Sequence, residues 1–169
     1  MKQIGLFYGS TTGNTEQAAE KIRKALGEDQ VVIFNVDSAT TEDVQRFDNL
    51  IFGLSTWGVS DMQDDFEDFL EVLENVDFNG KKVALFGLGD SSTYPDTFVD
   101  GMGVLYQFLK KMKGITFVGA CSTEGYTFDA SLAKLGKTFV GLPLDEDYEA
   151  HLTAERIQKW VETLKKDFS

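Results

Sequence analysis

Ser10, Thr11, Thr12, Gly13, Asn14 and Thr15 lie between an apolar run, Ile4 to Tyr8, and a helical pattern, Glu16 to Leu26. Hydroxyls, a glycine and an asparagine thus crowd the point where a strand turns into a helix. The first N–H groups of a helix have no intrahelical acceptor and carry the positive end of its dipole, so the junction suits an anion. The segment contains no Lys or Arg. A phosphate here would be held by N–H and O–H donors alone. That favours a monoester held as a fixed anchor over a triphosphate undergoing cleavage, which needs a Lys and a metal ligand. The nucleoside-triphosphate loop pattern G-x-x-x-x-G-K-[ST] is absent, since Asn14 and Thr15 stand where it requires Gly and Lys. On its own, a Ser/Thr-rich turn serves equally well as a helix cap.

Two further segments add to it. Ser55-Thr56-Trp57-Gly58-Val59-Ser60 follows one apolar run, and Gly89-Asp90-Ser91-Ser92-Thr93-Tyr94-Pro95-Asp96 follows another. Each carries one aromatic residue, Trp57 or Tyr94, among polar neighbours that cannot bury it. An aromatic so placed suits stacking on a flat ligand. Singly, each reads as ordinary loop packing. Taken with the phosphate turn, they describe a site for a planar ring on a phosphate tail, which is a mononucleotide.

The elements that must position these segments alternate between strand and helix, the pattern of a parallel α/β sheet. Strands are expected at Gln3–Tyr8, Val31–Phe34, Leu50–Leu54 and Val83–Leu88, the last buried on both faces. Helices are expected at Asn14–Leu26, Thr41–Phe47, Phe66–Leu73 and Phe98–Lys113, with a last one starting at Thr153 as its cap. A fifth strand begins near Ile115, breaks off across the polar stretch Ala120–Thr138 and resumes at Phe139–Leu142. All three candidate segments leave the carboxyl ends of strands, where open α/β sheets bind ligands. No linker or repeat interrupts the pattern, so residues 1–169 read as one domain.

Lys plus Arg number 16 and Asp plus Glu 28, a formal charge of −12. Such a chain is repelled by nucleic acid and anionic membranes and is steered toward basic protein surfaces. Cys121 is the only cysteine, which rules out an internal disulfide and suits a reducing, cytoplasmic setting. No apolar run approaches membrane-spanning length, and the strand pattern starts too near Met1 to leave room for a signal peptide. No catalytic side chain stands out. His151, the sole histidine, lies in an acidic connection. The acidic groups Asp64-Asp65-Glu67-Asp68 and Asp145-Glu146-Asp147 read as solvated faces, not metal ligands.

With Gly9–Thr15, the Thr56-Trp57 segment, Phe86-Gly87-Leu88-Gly89-Asp90 with Tyr94, the Ala120–Thr138 insertion and the closing Phe139–Asp147 run in this order, the chain resembles the flavodoxins, and among them the long-chain group. The resemblance implies a three-layer, doubly wound, five-stranded parallel sheet of order 2-1-3-4-5 with strand five split by the insertion; flavodoxin is itself a type example of that order. It implies non-covalently bound FMN and a low-potential one-electron carrier, not an enzyme, cycling between quinone, semiquinone and hydroquinone. The partners would be redox proteins, reductases and low-potential acceptors, and the chain a monomer. By the same resemblance, Ser10, Thr11, Thr12, Gly13, Asn14 and Thr15 hold the phosphate, and Trp57 and Tyr94 cover the two ring faces. Ser55, Thr56, Gly58 and Val59 line the ribityl chain and the N5 edge, and Gly89 and Asp90 meet the pyrimidine edge. Four positions depart from the family's usual residues: Ser55 for Pro, Ser60 for Gly, Phe66 for Trp and Ser91 for Gln.

If the Gly58 carbonyl turns to a proton on N5 only on reduction, a β-branched residue at 58 should lower the first potential by about 40 mV and leave oxidised-state affinity alone. Two rivals share the architecture. A quinone-reductase-like flavoenzyme would need an open substrate pocket over the ring and usually an oligomer. A phospho-receiver would need acidic residues after strand one and an Asp ending strand three, where this chain has Tyr8-Gly9-Ser10 and Leu54-Ser55-Thr56.

Overall fold

The computed structural model describes residues 1–169. Strand β1 (Ile4–Tyr8) leads through a tight turn into helix α1 (Asn14–Leu26), which ends at Gly27, whose N–H returns to the Arg23 carbonyl. Strand β2 (Val31–Asn35) is followed by a short helix, α2 (Thr41–Gln45), opened by a reciprocal cap between Thr40 and Asp43. Strand β3 (Asn49–Trp57) folds back into β4 (Asp61–Met62) and then helix α3 (Asp64–Leu73). Strand β5 (Lys82–Leu88), helix α4 (Asp100–Leu109) and strand β6 (Thr116–Val118) come next. Then follow β7 (Cys121–Ser122), β8 (Lys134–Leu135), β9 (Thr138–Phe139) and β10 (Leu142–Leu144), a 3₁₀ turn at Ala150–Leu152 and helix α5 (Thr153–Asp167).

The main sheet runs β2-β1-β3-β5, all parallel, and the outer side of β5 is shared by two short strands. β6 pairs with its first half, Lys82 to Ala84, and β10 with its second half, Phe86 to Leu88. This is the 2-1-3-4-5 order with its fifth strand in two pieces. Between the pieces the chain leaves the sheet and makes a small antiparallel sheet, β7-β9-β8.

Each face of the main sheet has its own core. Ile4 and Leu6 point to the face covered by α1 and α5, where they pack with Ala19, Ile22, Ile157, Trp160 and Leu164. Phe7 and Phe52 point to the other, toward α3 and α4, into a phenylalanine-rich core with Phe47, Phe66 and Phe69. The alternation along β1 follows from the two-residue period of a strand, and apolar residues on both faces from its double burial. The insertion reaches α4 at Gly103, where a Cβ would lie 2.4 Å from the Leu132 carbonyl carbon, so only glycine admits the contact. No helix is long and apolar enough to cross a membrane.

Four expectations need correction. Phe139 does not resume strand five. It is drawn into the small sheet opposite Cys121 and Lys134, and strand five resumes at Leu142–Leu144. The third strand runs on past Leu54 to Trp57, because β4 supplies it with a partner. Helix α4 spans only Asp100–Leu109, since Val99 is left-handed at φ 50 and holds Phe98 outside it. Thr153 is not a cap: its hydroxyl donates to Glu146 Oε1, and Leu152 precedes the helix with no side-chain cap.

Candidate functional site

The carboxyl ends of β1, β3 and β5 open onto a cleft of about 430 Å³, within the usual range for small-ligand sites. Three chain segments build it, and each is held from below.

The first is the β1–α1 turn. Gly9 N–H donates to the Gly53 carbonyl at 3.1 Å, which ties the turn to the sheet. Ser10 Oγ accepts from Gly13 N–H at 3.0 Å, and Gly13 itself is left-handed at φ 94. The first intrahelical bond runs from Gln17 N–H to the Gly13 carbonyl. The next N–H groups, from Asn14 on, lie at the head of α1, and Thr12, Asn14 and Thr15 line the cleft.

Under this turn lies Gln63, which has no solvent exposure. Its amide Nε2 donates to Thr11 Oγ1 at 3.1 Å, its Oε1 accepts from Phe66 N–H at 2.9 Å, and its own N–H donates to the Ser55 carbonyl. Gln63 therefore joins the phosphate-type turn, the β3 end and the start of α3. It also shows why residue 9 is glycine, because a Cβ there would lie 2.1 Å from Gln63 Oε1.

The second segment is the β3–β4 hairpin. Thr56 pairs with Met62 and Trp57 with Asp61 across a turn at residues 58–60. Trp57 Nε1 donates to Ser55 Oγ at 3.0 Å, so Ser55 fixes the indole from its own strand. Thr56 Oγ1 accepts from Gly101 N–H at 2.8 Å at the head of α4. Ser55, Thr56, Trp57 and Gly58 all line the cleft.

The third segment leaves β5. Gly89 N–H donates to the Leu144 carbonyl at 3.0 Å. Asp90 lines the cleft, but its Oδ1 accepts from Ser92 and Thr93 N–H at 3.1 and 2.9 Å. Burial would raise this carboxyl, yet bonds from the Thr93 N–H and hydroxyl and from the Ser92 N–H outweigh it and hold the group below the ordinary carboxylate range. Tyr94 follows, lining the cleft with Thr97. Trp57 and Tyr94 are each 42% exposed, which large aromatics in a packed fold seldom are without a partner to cover.

Asp145 braces this segment. It is fully buried and accepts from Ser91 N–H at 3.0 Å, from Ser91 Oγ at 2.5 Å and from Tyr148 N–H at 2.8 Å. Beside it, Glu146 and Asp147 enter the cleft wall. Burial, together with the charges of Asp90, Asp145 and Glu146, pushes the Asp147 carboxyl up. Asp145 is thus a buried structural group, against the expectation of a solvated run, while Glu146 is half-buried and Asp147 exposed at the cleft wall.

Of the residues singled out in the sequence, Thr12, Asn14, Thr15, Ser55, Thr56, Trp57, Gly58, Gly89, Asp90 and Tyr94 line one cleft. Ser10, Thr11, Gly13 and Val59 do not. Ser10 and Gly13 brace the turn, and Thr11 faces Gln63 and a neighbouring recess shared with Asp61 and Glu67. Val59 sits at the hairpin tip, 69% exposed. Sequence reasoning missed Leu88, Thr97, Glu146 and Asp147 as lining residues. The position of Asp145-Glu146-Asp147 directly after a strand end was the available signal. No Lys or Arg lines the cleft. Its chemistry is that of hydroxyl and N–H donors at one end, two aromatic surfaces, and carboxylates along one wall. It offers no nucleophile–base pair.

A family model described as flavodoxin matches residues 6–160. The flavodoxin of Trichodesmium erythraeum is 48% identical over 170 aligned residues, covering 99% of each chain. That of Haemophilus influenzae is 44% identical over 165, covering 97% of this chain and 94% of its own. Among solved structures, Fusobacterium nucleatum flavodoxin bound to flavin mononucleotide superposes with a TM-score of 0.93 at 35% identity, covering 100% of both chains. Oxidised flavodoxin 1 of Bacillus cereus does so with 0.72 at 26%, covering 97% of this chain and 98% of its own. With the family's sheet order, its strand-end cleft and nearly full-length matches in hand, the chain belongs to the flavodoxin family.

Proposed function

We propose that the chain is a carrier of single electrons between redox proteins, with FMN held non-covalently in the strand-end cleft, and that residues 1–169 act as one FMN-binding unit of the long-chain type. The observation that carries the reading is two half-exposed aromatics, Trp57 and Tyr94, lining one cleft with a helix N-terminus that has no cation beside it. When bound, FMN supplies the redox chemistry, which no side chain here can perform.

The protein's part is binding and tuning. Thr12, Asn14, Thr15 and the head of α1 donate to the phosphate, with Ser10 and Gly13 holding the turn rigid and Thr11 anchored by Gln63. Trp57 and Tyr94 cover the ring faces and shut out water. Ser55 and Thr56 would flank the ribityl chain, and the Gly58 carbonyl, at the cleft mouth, would be the group available to accept a hydrogen bond from an N–H on the ring edge. Gly89 and Asp90 face the pyrimidine edge through their backbone, because the Asp90 carboxylate already serves its own turn. Asp90, Glu146 and Asp147 make the cleft wall negative, which would disfavour a negative charge on a fully reduced ring and so lower the potential of the second electron. A quinone-reductase-like reading has no specific support in the cleft, whose lining holds no acid–base pair.

The test is reconstitution of the apoprotein with FMN, riboflavin and FAD, followed by fluorescence quenching. Tight one-to-one binding of FMN is expected, with riboflavin weaker by at least two orders of magnitude. Equal affinity for riboflavin would remove the phosphate turn from the site, and preference for FAD would overturn the assignment.

The −12 charge, with Asp61, Asp64 and Glu67 around the recess beside Trp57, supports docking on basic partner surfaces by a monomeric, cytoplasmic protein. Reduction by a basic flavoprotein reductase should slow as salt rises, since screening acts over about 8–10 Å at physiological ionic strength. A rate indifferent to salt would count against steering.

A further inference from the structure

Ser55 stands near the middle of the cleft. Strand β1 ends at Tyr8, opposite Gly53, so β3 carries Ser55 two residues beyond it, and on the other side Ser55 pairs with Leu88. The Ser55 carbonyl accepts from the N–H of Gln63, whose amide holds Thr11 of the phosphate-type turn. Trp57 follows two residues later, on the same side of the strand, and both residues line the cleft. Ser55 therefore lies between the turn that would hold a phosphate and the aromatic that would cover a ring. Its hydrogen bonding has a fixed direction. The indole N–H can only donate, so in the 3.0 Å bond to Trp57 Nε1 the Ser55 Oγ is the acceptor. The hydroxyl keeps one proton of its own, and no protein group accepts it, since the indole bond is the only side-chain hydrogen bond of Ser55.

We infer that Ser55 is a specificity residue for the chain that joins ring to phosphate: its hydroxyl donates to a ribityl oxygen while its oxygen holds the Trp57 indole. This rests on the FMN reading above. Ser55 is already half-buried, and a ligand filling the cleft would cut it off from water. A hydroxyl proton buried without an acceptor costs free energy, so the ligand has to present an oxygen there. The placement selects which oxygen, because the part of FMN that spans from phosphate to ring is a polyhydroxy chain. A hydroxyl that donates is also a better acceptor, so the ligand bond and the indole bond strengthen each other.

The test is binding of FMN, riboflavin and lumiflavin to the apoproteins of wild type, Ser55→Ala and Ser55→Thr, read by fluorescence quenching. Lumiflavin has the same ring with a methyl group in place of the ribityl chain. Ser55→Ala should weaken FMN and riboflavin alike by about five- to tenfold, the usual contribution of one hydrogen bond between neutral groups. Its lumiflavin affinity should change by less than about twofold, because water can meet the freed N–H of the half-exposed indole, and this retained binding also shows that the cleft is folded. Ser55→Thr keeps the hydroxyl and should stay within about threefold of wild type for all three flavins. An equal loss for lumiflavin would mean that Ser55 acts only by holding the indole, and would overturn the proposal. So would unchanged binding of FMN and riboflavin in Ser55→Ala, or a Thr variant no better than Ala. A wild type that binds none of the three flavins would instead overturn the cofactor reading itself.

Discussion

Replacing Asp145 by Asn changes one atom in the wall of the cleft, and the structure states what that atom does. The side chain is fully buried and accepts three hydrogen bonds: from Ser91 N–H and hydroxyl on Oδ2 and from Tyr148 N–H on Oδ1. Asparagine must turn its NH₂ toward one side. Turned toward Tyr148, it replaces one charge-assisted bond by a contact between two donors and weakens the two bonds at Ser91. Hydrogen bonds to a charged acceptor are worth roughly 1.5–3 kcal/mol each. In the other direction, a buried carboxylate with no cation gains from neutralisation. The two backbone N–H groups decide the sign: they sit on different oxygens and both require an acceptor, which one amide oxygen cannot supply to both, and the net cost comes to about 2 kcal/mol. Asp145→Ala leaves all three donors unpaired and should cost more, roughly 3–5 kcal/mol. Urea unfolding of the apoprotein measures both. With a slope of about 2 kcal/mol per molar, the Asn variant should lose about 1 M from its midpoint. FMN affinity should fall as well, because Ser91 adjoins Asp90 in the cleft wall. A cost under about 0.5 kcal/mol for Asn, or an Ala variant no worse than Asn, would refute the claim that this carboxylate holds the wall together.

Three further outcomes are expected. Gly58→Val should destabilise the apoprotein by roughly 1–2 kcal/mol, since Gly58 is already left-handed at φ 52 and a Cβ there meets nothing within 4 Å, so the cost is backbone strain alone. Because that strain is present before reduction, the first potential should move by less than the about 40 mV expected from sequence, and full retention of apoprotein stability would contradict the turn seen here. Asp147 has a raised folded-state pKa, so the folded protein holds its proton more tightly than the unfolded chain, and stability is lost as pH rises through the window between the ordinary and the raised value. Asp147→Asn should therefore stabilise the apoprotein at neutral pH, with the advantage fading as pH falls through that same window and gone below the ordinary carboxylate range; thermal melts at several pH values would show a parallel offset instead if the reasoning fails. Burial pushes the Cys121 thiol up to about 12, so at pH 8 on the order of one molecule in 10⁴ carries the thiolate. Iodoacetamide should label it far more slowly in native than in unfolded protein, and equal rates would exclude the burial.

Where an apolar run was both continuous and bounded by turn residues, as in Ile4–Tyr8 and Val83–Leu88, the sequence located the strand, because double burial leaves no polar residue to blur it. The same rule misled at Phe139-Val140-Gly141-Leu142. Phe139 is buried as strongly as a strand-five residue, but by the small sheet and by Phe98, Tyr126 and Phe128. β10 carries Pro143, which its edge position tolerates because the outer side of an edge strand needs no N–H donor. The start of α3 was hidden because its cap is a glutamine, which seldom signals a helix start, and Gln63 reveals its role only when Thr11 and Ser55 are brought to it. In the site, aromatics and hydroxyls showed themselves by being out of place among their neighbours. The acidic wall did not, since the residues of Asp145-Glu146-Asp147 look alike in sequence while one is buried and two line the cleft.

The division of the fifth strand has a consequence for how the molecule opens. β6 and β10 grip different halves of β5, and only β10 lies beside the cleft, with Leu144 holding Gly89 and Asp145 holding Ser91. Opening of the chain from the end of β6 to the start of α5 would leave β6 paired but would expose the buried Ala133, Phe139, Leu142 and Leu144, which sets its cost. That opening dismantles one wall of the cleft, so a cofactor that needs the wall binds the closed form alone. By mass action, FMN at 100 times its dissociation constant would oppose the opening by about 2.7 kcal/mol. The edge of the sheet is then the region whose order is set by cofactor supply, and the protein's exposure to proteolysis becomes a measure of how much FMN is at hand.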